Sequence, residues 1–173
     1  MTHKKVVLIT GASRGIGAAT ALLAAKQGWA VAVNYLVNSL AADEVVRQIR
    51  AAGGTAMTIQ ADVAIEADVM RMFQAVDAKL GRISGMVNNA GVVDMPSRVD
   101  AMSVERLERM WATNITSSFV CAREAVKRMS TKHGGSGGSI VNLSSAAAKL
   151  GSPGQYVDYA ASKAAIDTFT IGL

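Results

Sequence analysis

Val6-Val7-Leu8-Ile9-Thr10-Gly11-Ala12-Ser13-Arg14-Gly15-Ile16-Gly17 is a short apolar, β-branched run that meets three glycines. An Ala- and Leu-rich segment, Ile16 to Gln27, follows and stops at Gly28. The apolar run reads as a buried strand, Val6 to Thr10, and the segment after it as a helix with a C-terminal glycine. A glycine-rich turn between a first strand and a first helix is where a nucleotide pyrophosphate is held. Gly11 permits the tight turn, Gly15 lets the backbone approach a phosphate, and Gly17 lets the helix pack closely on the strand. The free N–H groups at the helix start face the anion, which makes the backbone around Ser13, Arg14 and Ile16 part of the candidate site. The spacing is G-x-x-x-G-x-G rather than G-x-G-x-x-G.

Outward from this turn the pattern repeats. Strands are predicted at Ala30–Tyr35, Ala56–Gln60, Ile83–Asn88 and Ser139–Leu143. Helices are predicted at Leu40–Ala52 and Glu66–Leu80, then one opened by Ser103 as N-cap, a longer one following through about Met129, and one from Val157 onward. Alternating strands and helices imply a doubly wound parallel sheet between two helical layers, a Rossmann-like α/β/α fold. Such a fold has six strands in its common order, and five are counted here. One dinucleotide-binding domain over residues 1–173 is therefore expected, cut off in the helix after the fifth strand, with the C-terminal strands missing. Gly134 to Gly138 lacks a following helix and a Lys-Ser/Thr pair, so it reads as a flexible connection rather than a second phosphate loop.

The composition fits one compact domain. Half of the 173 residues are apolar and 18% are charged. The formal charge of +5 is spread along the chain, with no run longer than a pair such as Lys4-Lys5, so a nucleic-acid partner is not expected. The single cysteine, Cys121, cannot form an intrachain disulfide, and no metal-ligand cluster is visible. Neither a leader nor a run of ~18 apolar residues stands out, so a cytoplasmic protein without a membrane span is expected.

The sequence also bears on which dinucleotide is bound. NAD-binding folds carry an acid ~20 residues beyond the glycine turn, at the end of the second strand, for the ribose 2′-hydroxyl. Here no Asp or Glu precedes Asp43, and the second strand ends in Asn34-Tyr35, which are candidate cofactor-binding residues. Arg14 can instead meet a 2′-phosphate as a charged donor; its other reading is a solvated surface charge. NADP is favoured over NAD.

Tyr159 and Lys163 lie four apart on the last predicted helix, on one face. A phenol is a weak acid, with a free pKa of ~10. A neighbouring ammonium favours its ionised form, and the pair suits proton donation to a carbonyl that receives hydride. Tyr156 has Ala160 in the matching position and no such partner. Upstream, Ile140-Val141-Asn142-Leu143-Ser144-Ser145 is a strand ending in hydroxyls, at the sheet edge where ligands bind. Asn89-Ala90-Gly91 ends the fourth strand at the same edge. Asn114 falls in the middle of a helix, where Asn is a poor former. Either a buried hydrogen bond or a solvent-facing position explains it.

Together these residues resemble the short-chain dehydrogenase/reductase family. Thr10-Gly11-x-x-x-Gly15-x-Gly17, Asn88-Asn89-Ala90-Gly91, the Ser145 strand end and Tyr159-x-x-x-Lys163 occur in the family's order over the whole chain. The resemblance implies an NADP(H)-dependent oxidoreductase that reduces a small-molecule carbonyl or oxidises the secondary alcohol. It implies a tetrad: Tyr159 as acid/base, Ser145 to orient the carbonyl, Lys163 on the nicotinamide ribose, Asn114 in a proton relay. Asp62-Val63 would lie at the adenine ring. The stretch Gly151 to Tyr159 is similar to glucose 1-dehydrogenase-like and 3-oxoacyl-acyl-carrier-protein-reductase-like members. Family members form dimers or tetramers through two long helices, here about Ala112–Met129 and Val157 onward. They also continue past residue 173 with further strands and a substrate loop. A non-catalytic dinucleotide-binding or oligomerisation module is the alternative, and an extended-type sugar-nucleotide epimerase a weaker third.

Overall fold

The computed structural model describes residues 5–173; Met1–Lys4, read above as carrying no leader, lie outside it. The elements run β1 (Val6–Ile9), α1 (Gly15–Lys26), β2 (Ala30–Tyr35), α2 (Ser39–Ala51), β3 (Ala56–Gln60), α3 (Glu66–Lys79) and β4 (Gly85–Asn88). They continue with α4 (Val104–Trp111), a π-helical turn (Ala112–Thr116), α5 (Ser117–Met129), β5 (Ser139–Asn142), α6 (Ala147–Leu150) and α7 (Val157–Gly172). The sheet is parallel throughout, in the order β3-β2-β1-β4-β5. The chain winds out from β1 to β3, then returns to β1's other side with β4. The crevice for a ligand opens at that reversal, outside the carboxyl ends of β1 and β4.

β1 shows why the first apolar run is a central strand. Successive side chains point to opposite faces. Val6 and Leu8 enter one core with Met72, Phe73 and Val76 of α3 and Ala125 of α5. Val7 and Ile9 enter the other, with Ala21 of α1 and Val45, Val46 and Ile49 of α2. A strand buried on both faces must be apolar at every position, and this one is. Each fully buried Val, Leu or Ile contributes roughly 1.5–3 kcal/mol. α2 buries Ala42, Val45, Val46 and Ile49, the three-and-four spacing of an amphipathic helix. It starts on Asn38, whose side chain accepts the Ala41 N–H at 2.9 Å.

Three details differ from the sequence reading. β4 begins at Gly85 rather than Ile83. The π turn at Ala112–Thr116, which joins the two helices between Ser103 and Met129, has no counterpart in that reading. The glycine-rich connection is docked rather than free: Gly135 and Gly137 donate to the carbonyls of Ser130 and Met129, and Arg82 donates to those of His133 and Gly134. A Cβ on Gly135 would collide with the Met129 carbonyl, and one on Gly138 with the Met129 sulfur. Small residues are needed there for packing, not for slack. Among the described residues no helix is long and apolar enough to cross a membrane.

Candidate active site

The glycine turn is built as its residues require. Gly11 and Gly15 adopt φ of +61° and +58°, a region that side chains make costly. Gly17 answers a lack of space instead. A Cβ there would lie 2.6 Å from Asn89 Nδ2, 2.8 Å from the Gly11 carbonyl and 2.9 Å from Ala12 Cα. α1 starts at Gly15 with no acid in its first turn, so its unpaired N–H groups face the crevice with no competing carboxylate. Ser13 is half-buried, and Arg14 and Ile16 are exposed beside it. Arg14 makes no ion pair among the described residues.

Two asparagines and one threonine hold this turn from outside. Asn89 donates to the carbonyls of Thr10 and Gly11 at 2.8 and 3.1 Å. Thr10 Oγ1 accepts the N–H groups of Asn89 and Ala90, each at 3.0 Å. Asn34 accepts the Gly11 N–H at 3.1 Å and donates to the carbonyls of Ile59 and Ala61. Asn34 is 2% exposed. The sequence reading made it a cofactor-binding candidate; the structure turns its amide inward, where it ties β2 and β3 to the glycine turn. Tyr35, next to it, is half-buried at the strand end. Replacing Asn34 by Leu is expected to destabilise the fold by about 1–3 kcal/mol, because buried backbone groups lose their partners; urea denaturation measures this.

The second half of the site forms around Gly91. An added Cβ at Gly91 would lie 3.4 Å from Asn114 Oδ1 and 3.5 Å from Lys163 Nζ, so these two polar groups converge on it. Asn114 is 1% exposed and sits in the π turn. Its amide pairs with the backbone of Val92 in both directions, at 2.8 and 2.9 Å, and donates to Ser162 Oγ at 3.1 Å. This decides between the two readings of Asn114: it is a buried, hydrogen-bonded group. A π turn widens the helix locally and is common at functional sites.

Ser162 carries the connection onward. Its hydroxyl donates to the Tyr159 carbonyl at 2.7 Å, so Asn114 and the backbone of Tyr159 share one bridge. Lys163 donates to the Leu143 carbonyl at 2.6 Å, and its ammonium lies 5.8 Å from the centre of the Tyr159 ring. Burial lowers the Lys163 pKa from the usual lysine value. Ser144 Oγ donates to the Lys163 carbonyl. Ser145 follows beyond the end of β5, its hydroxyl accepting the Ala147 N–H at 3.1 Å. Tyr159 is half-buried, and its hydroxyl has no hydrogen-bond partner among the described residues.

Asp62 and Val63 lie just past β3. Asp62 closes a local turn on the Ala64 N–H, and Val63 is buried. A cavity of about 390 Å³ runs from Asp62 past Val92 to Met110 and Thr113. A larger one, about 550 Å³, lies between the C-termini of α1 and α2 and is lined by none of the candidate site residues. Burial, and then nearby Glu124, push the Cys121 thiol up to about 12, so it stays protonated and is no nucleophile.

Sequence reasoning missed the supporting roles of Thr10 and Ser162. Their partners lie far along the chain or on the far side of a helix turn, and no local spacing marks them.

The geometry has counterparts in known proteins. The short chain dehydrogenase family model matches residues 5–173. The chain belongs to the short-chain dehydrogenase/reductase family. An uncharacterized oxidoreductase of Escherichia coli (strain K12) is 55% identical over 168 residues, which cover 97% of this chain and 68% of that protein. A 3-oxoacyl-[acyl-carrier-protein] reductase of Synechocystis is 41% identical, over 96% of this chain and 65% of that protein. A solved double mutant of a Serratia marcescens short-chain dehydrogenase/reductase superposes with a TM-score of 0.88 at 33% identity, covering 95% of this chain and 65% of that one. The chain thus spans about two thirds of the length of these relatives. As a short-chain dehydrogenase/reductase it is an oxidoreductase by family, and the family implies a nicotinamide dinucleotide cofactor.

Proposed function

We propose that the chain is an NADP(H)-dependent oxidoreductase that interconverts a carbonyl and a secondary alcohol, with Tyr159 as general acid/base. The observation that carries this reading is the convergence of Asn114 and Lys163 on Gly91, with the Tyr159 ring beside Lys163. The cluster stands at the carboxyl end of the sheet, joined to the glycine turn through Asn89. The turn suits the cofactor's pyrophosphate: the space beside Gly15 is open, with nothing within 4 Å of an added Cβ, while Gly17 lets the helix pack against the turn. Backbone from Ser13 to Gly17, with Asp62, Val63, Ala90 and Gly91, would hold the dinucleotide.

When bound, the nicotinamide supplies or accepts the hydride. The chain's own residues manage the proton and the geometry. In reduction Tyr159 gives its phenolic proton to the oxygen of the carbonyl whose carbon gains the hydride; in oxidation it takes that proton back. The Lys163 ammonium favours the negative charge that develops on the phenol oxygen as its proton leaves. Lys163 is held for this by the Leu143 carbonyl, and it would donate to ribose hydroxyls. Ser145 would orient the carbonyl. Asn114, fixed by Val92 and Ser162, would hold a water for the proton relay. Phe119 of α5, half exposed beside Phe169 of α7, leaves an apolar surface on these two helices, which supports self-association through them.

NADP over NAD rests on exposed Arg14 and on the absence of any carboxylate before Asp43. Fluorescence titration of the purified chain is expected to show tighter binding of NADPH than of NADH. Arg14→Ala is expected to weaken NADPH binding about tenfold and NADH binding little, the loss of one charge-assisted hydrogen bond. Equal affinities for the two cofactors in the unmodified chain would refute the preference.

A further inference from the structure

Arg106 and Asp158 form a buried ion pair that lies outside the tetrad and the glycine turn. Arg106 Nε donates to Asp158 Oδ2 at 2.7 Å, and the two side chains are 11% and 0% exposed. The same guanidinium donates from Nη1 to the Met95 carbonyl at 2.7 Å. Arg106 lies in the first turn of α4, where Ser103 caps its N–H. Asp158 lies in the first turn of α7, immediately before Tyr159. One side chain therefore ties together α4, the loop after Gly91 and the start of the helix that carries Tyr159. The loop has a second tie to the approach of α7, the Ser97 N–H on the Gln155 carbonyl at 2.8 Å.

A buried pair of this kind adds little net stability, because desolvation of both charges offsets their attraction. It does fix geometry, since the planar guanidinium directs its donors in set directions. Arg106 Nη2 and Asp158 Oδ1 are both buried and find no partner among the described residues. They are the unmade half of a side-on fork.

We propose that Arg106 and Asp158 are positioning residues, a clamp that sets the loop at residues 92–98 against the first turn of α7. The carbonyl substrate then meets Tyr159 in one geometry. The catalytic consequence rests on the function proposed above; the clamp itself does not.

The test is hydrogen–deuterium exchange on the 173-residue chain and its Arg106→Met, Arg106→Lys and Asp158→Asn variants. NADPH titration and steady-state reduction run alongside. Arg106→Met should speed exchange about tenfold in residues 92–98 and 157–160, the loss of charge-assisted bonds, with NADPH affinity unchanged. It should raise KM for the carbonyl substrate more than it lowers kcat. Arg106→Lys keeps the charge but not the fork, so it should restore residues 157–160 and leave 92–98 fast. Asp158→Asn keeps shape and fold and should loosen 157–160. Unchanged exchange in both segments, or an increase spread over the sheet strands, overturns the clamp. A wild-type chain that exchanges as expected but reduces nothing overturns the function reading and leaves the clamp standing.

Discussion

Replacing Tyr159 with Phe is expected to lower kcat for carbonyl reduction about 10³-fold, the usual worth of a positioned acid/base group. The substitution removes one oxygen and leaves the ring. That ring lies 5.8 Å from the Lys163 ammonium, and the bridge through Ser162 reaches the Tyr159 backbone, which the substitution does not touch. NADPH affinity and the unfolding midpoint should therefore stay as they are. Steady-state kinetics beside a cofactor titration separates these quantities. A Tyr159→Phe chain that turns over at the wild-type rate would show that another group moves the proton. Tyr156→Phe is the control, since that tyrosine precedes α7 and has no lysine one turn on.

The second large effect belongs to Gly17. Gly17→Ala puts a Cβ 2.6 Å from the Asn89 amide and under 3 Å from two backbone atoms of residues 11 and 12. The far end of a side chain can yield, but backbone in a turn closed by Thr10, Asn34 and Asn89 cannot do so without moving. The expected cost is about 1–3 kcal/mol of stability, together with at least a tenfold loss of NADPH affinity as the turn shifts. Gly15→Ala makes the contrast. Its added Cβ meets nothing within 4 Å, although φ there is +58°. It should cost stability of about 1 kcal/mol and still weaken NADPH binding, because the cofactor's phosphates approach that backbone. Urea unfolding and fluorescence titration of both variants distinguish a packing glycine from a ligand-facing one. Equal behaviour of the two would undo that distinction.

The parts of this protein legible in its sequence are those with short-range signals. The β1 turn announces itself because both of its neighbours are local, an apolar run before and an Ala-rich helix after. Tyr159 and Lys163 were visible because one helix turn separates them. Asn34 shows the limit. As the last buried residue of a strand it reads as a group offered to the ligand, and only its partners at Gly11, Ile59 and Ala61 reveal that it faces inward. Asn114 left two readings open because its decisive partner, Val92, lies 22 positions away on a loop. The π turn has no sequence mark of its own; the extra residue is fitted by packing on α4 and α7. Asp158 carries no local signal, because its partner is 52 positions upstream. The fold followed from periodicity, whereas the supports of the site depend on long-range pairs that periodicity does not encode.

The most direct test of the central claim follows NADPH absorbance while the purified 173-residue chain meets a panel of ketones and aldehydes. Tyr159→Phe is run in parallel. The account predicts steady NADPH oxidation with at least one carbonyl, dependent on Tyr159. Saturable NADPH binding with no oxidation across the panel would contradict it, and would identify the chain as a dinucleotide-binding module without chemistry of its own.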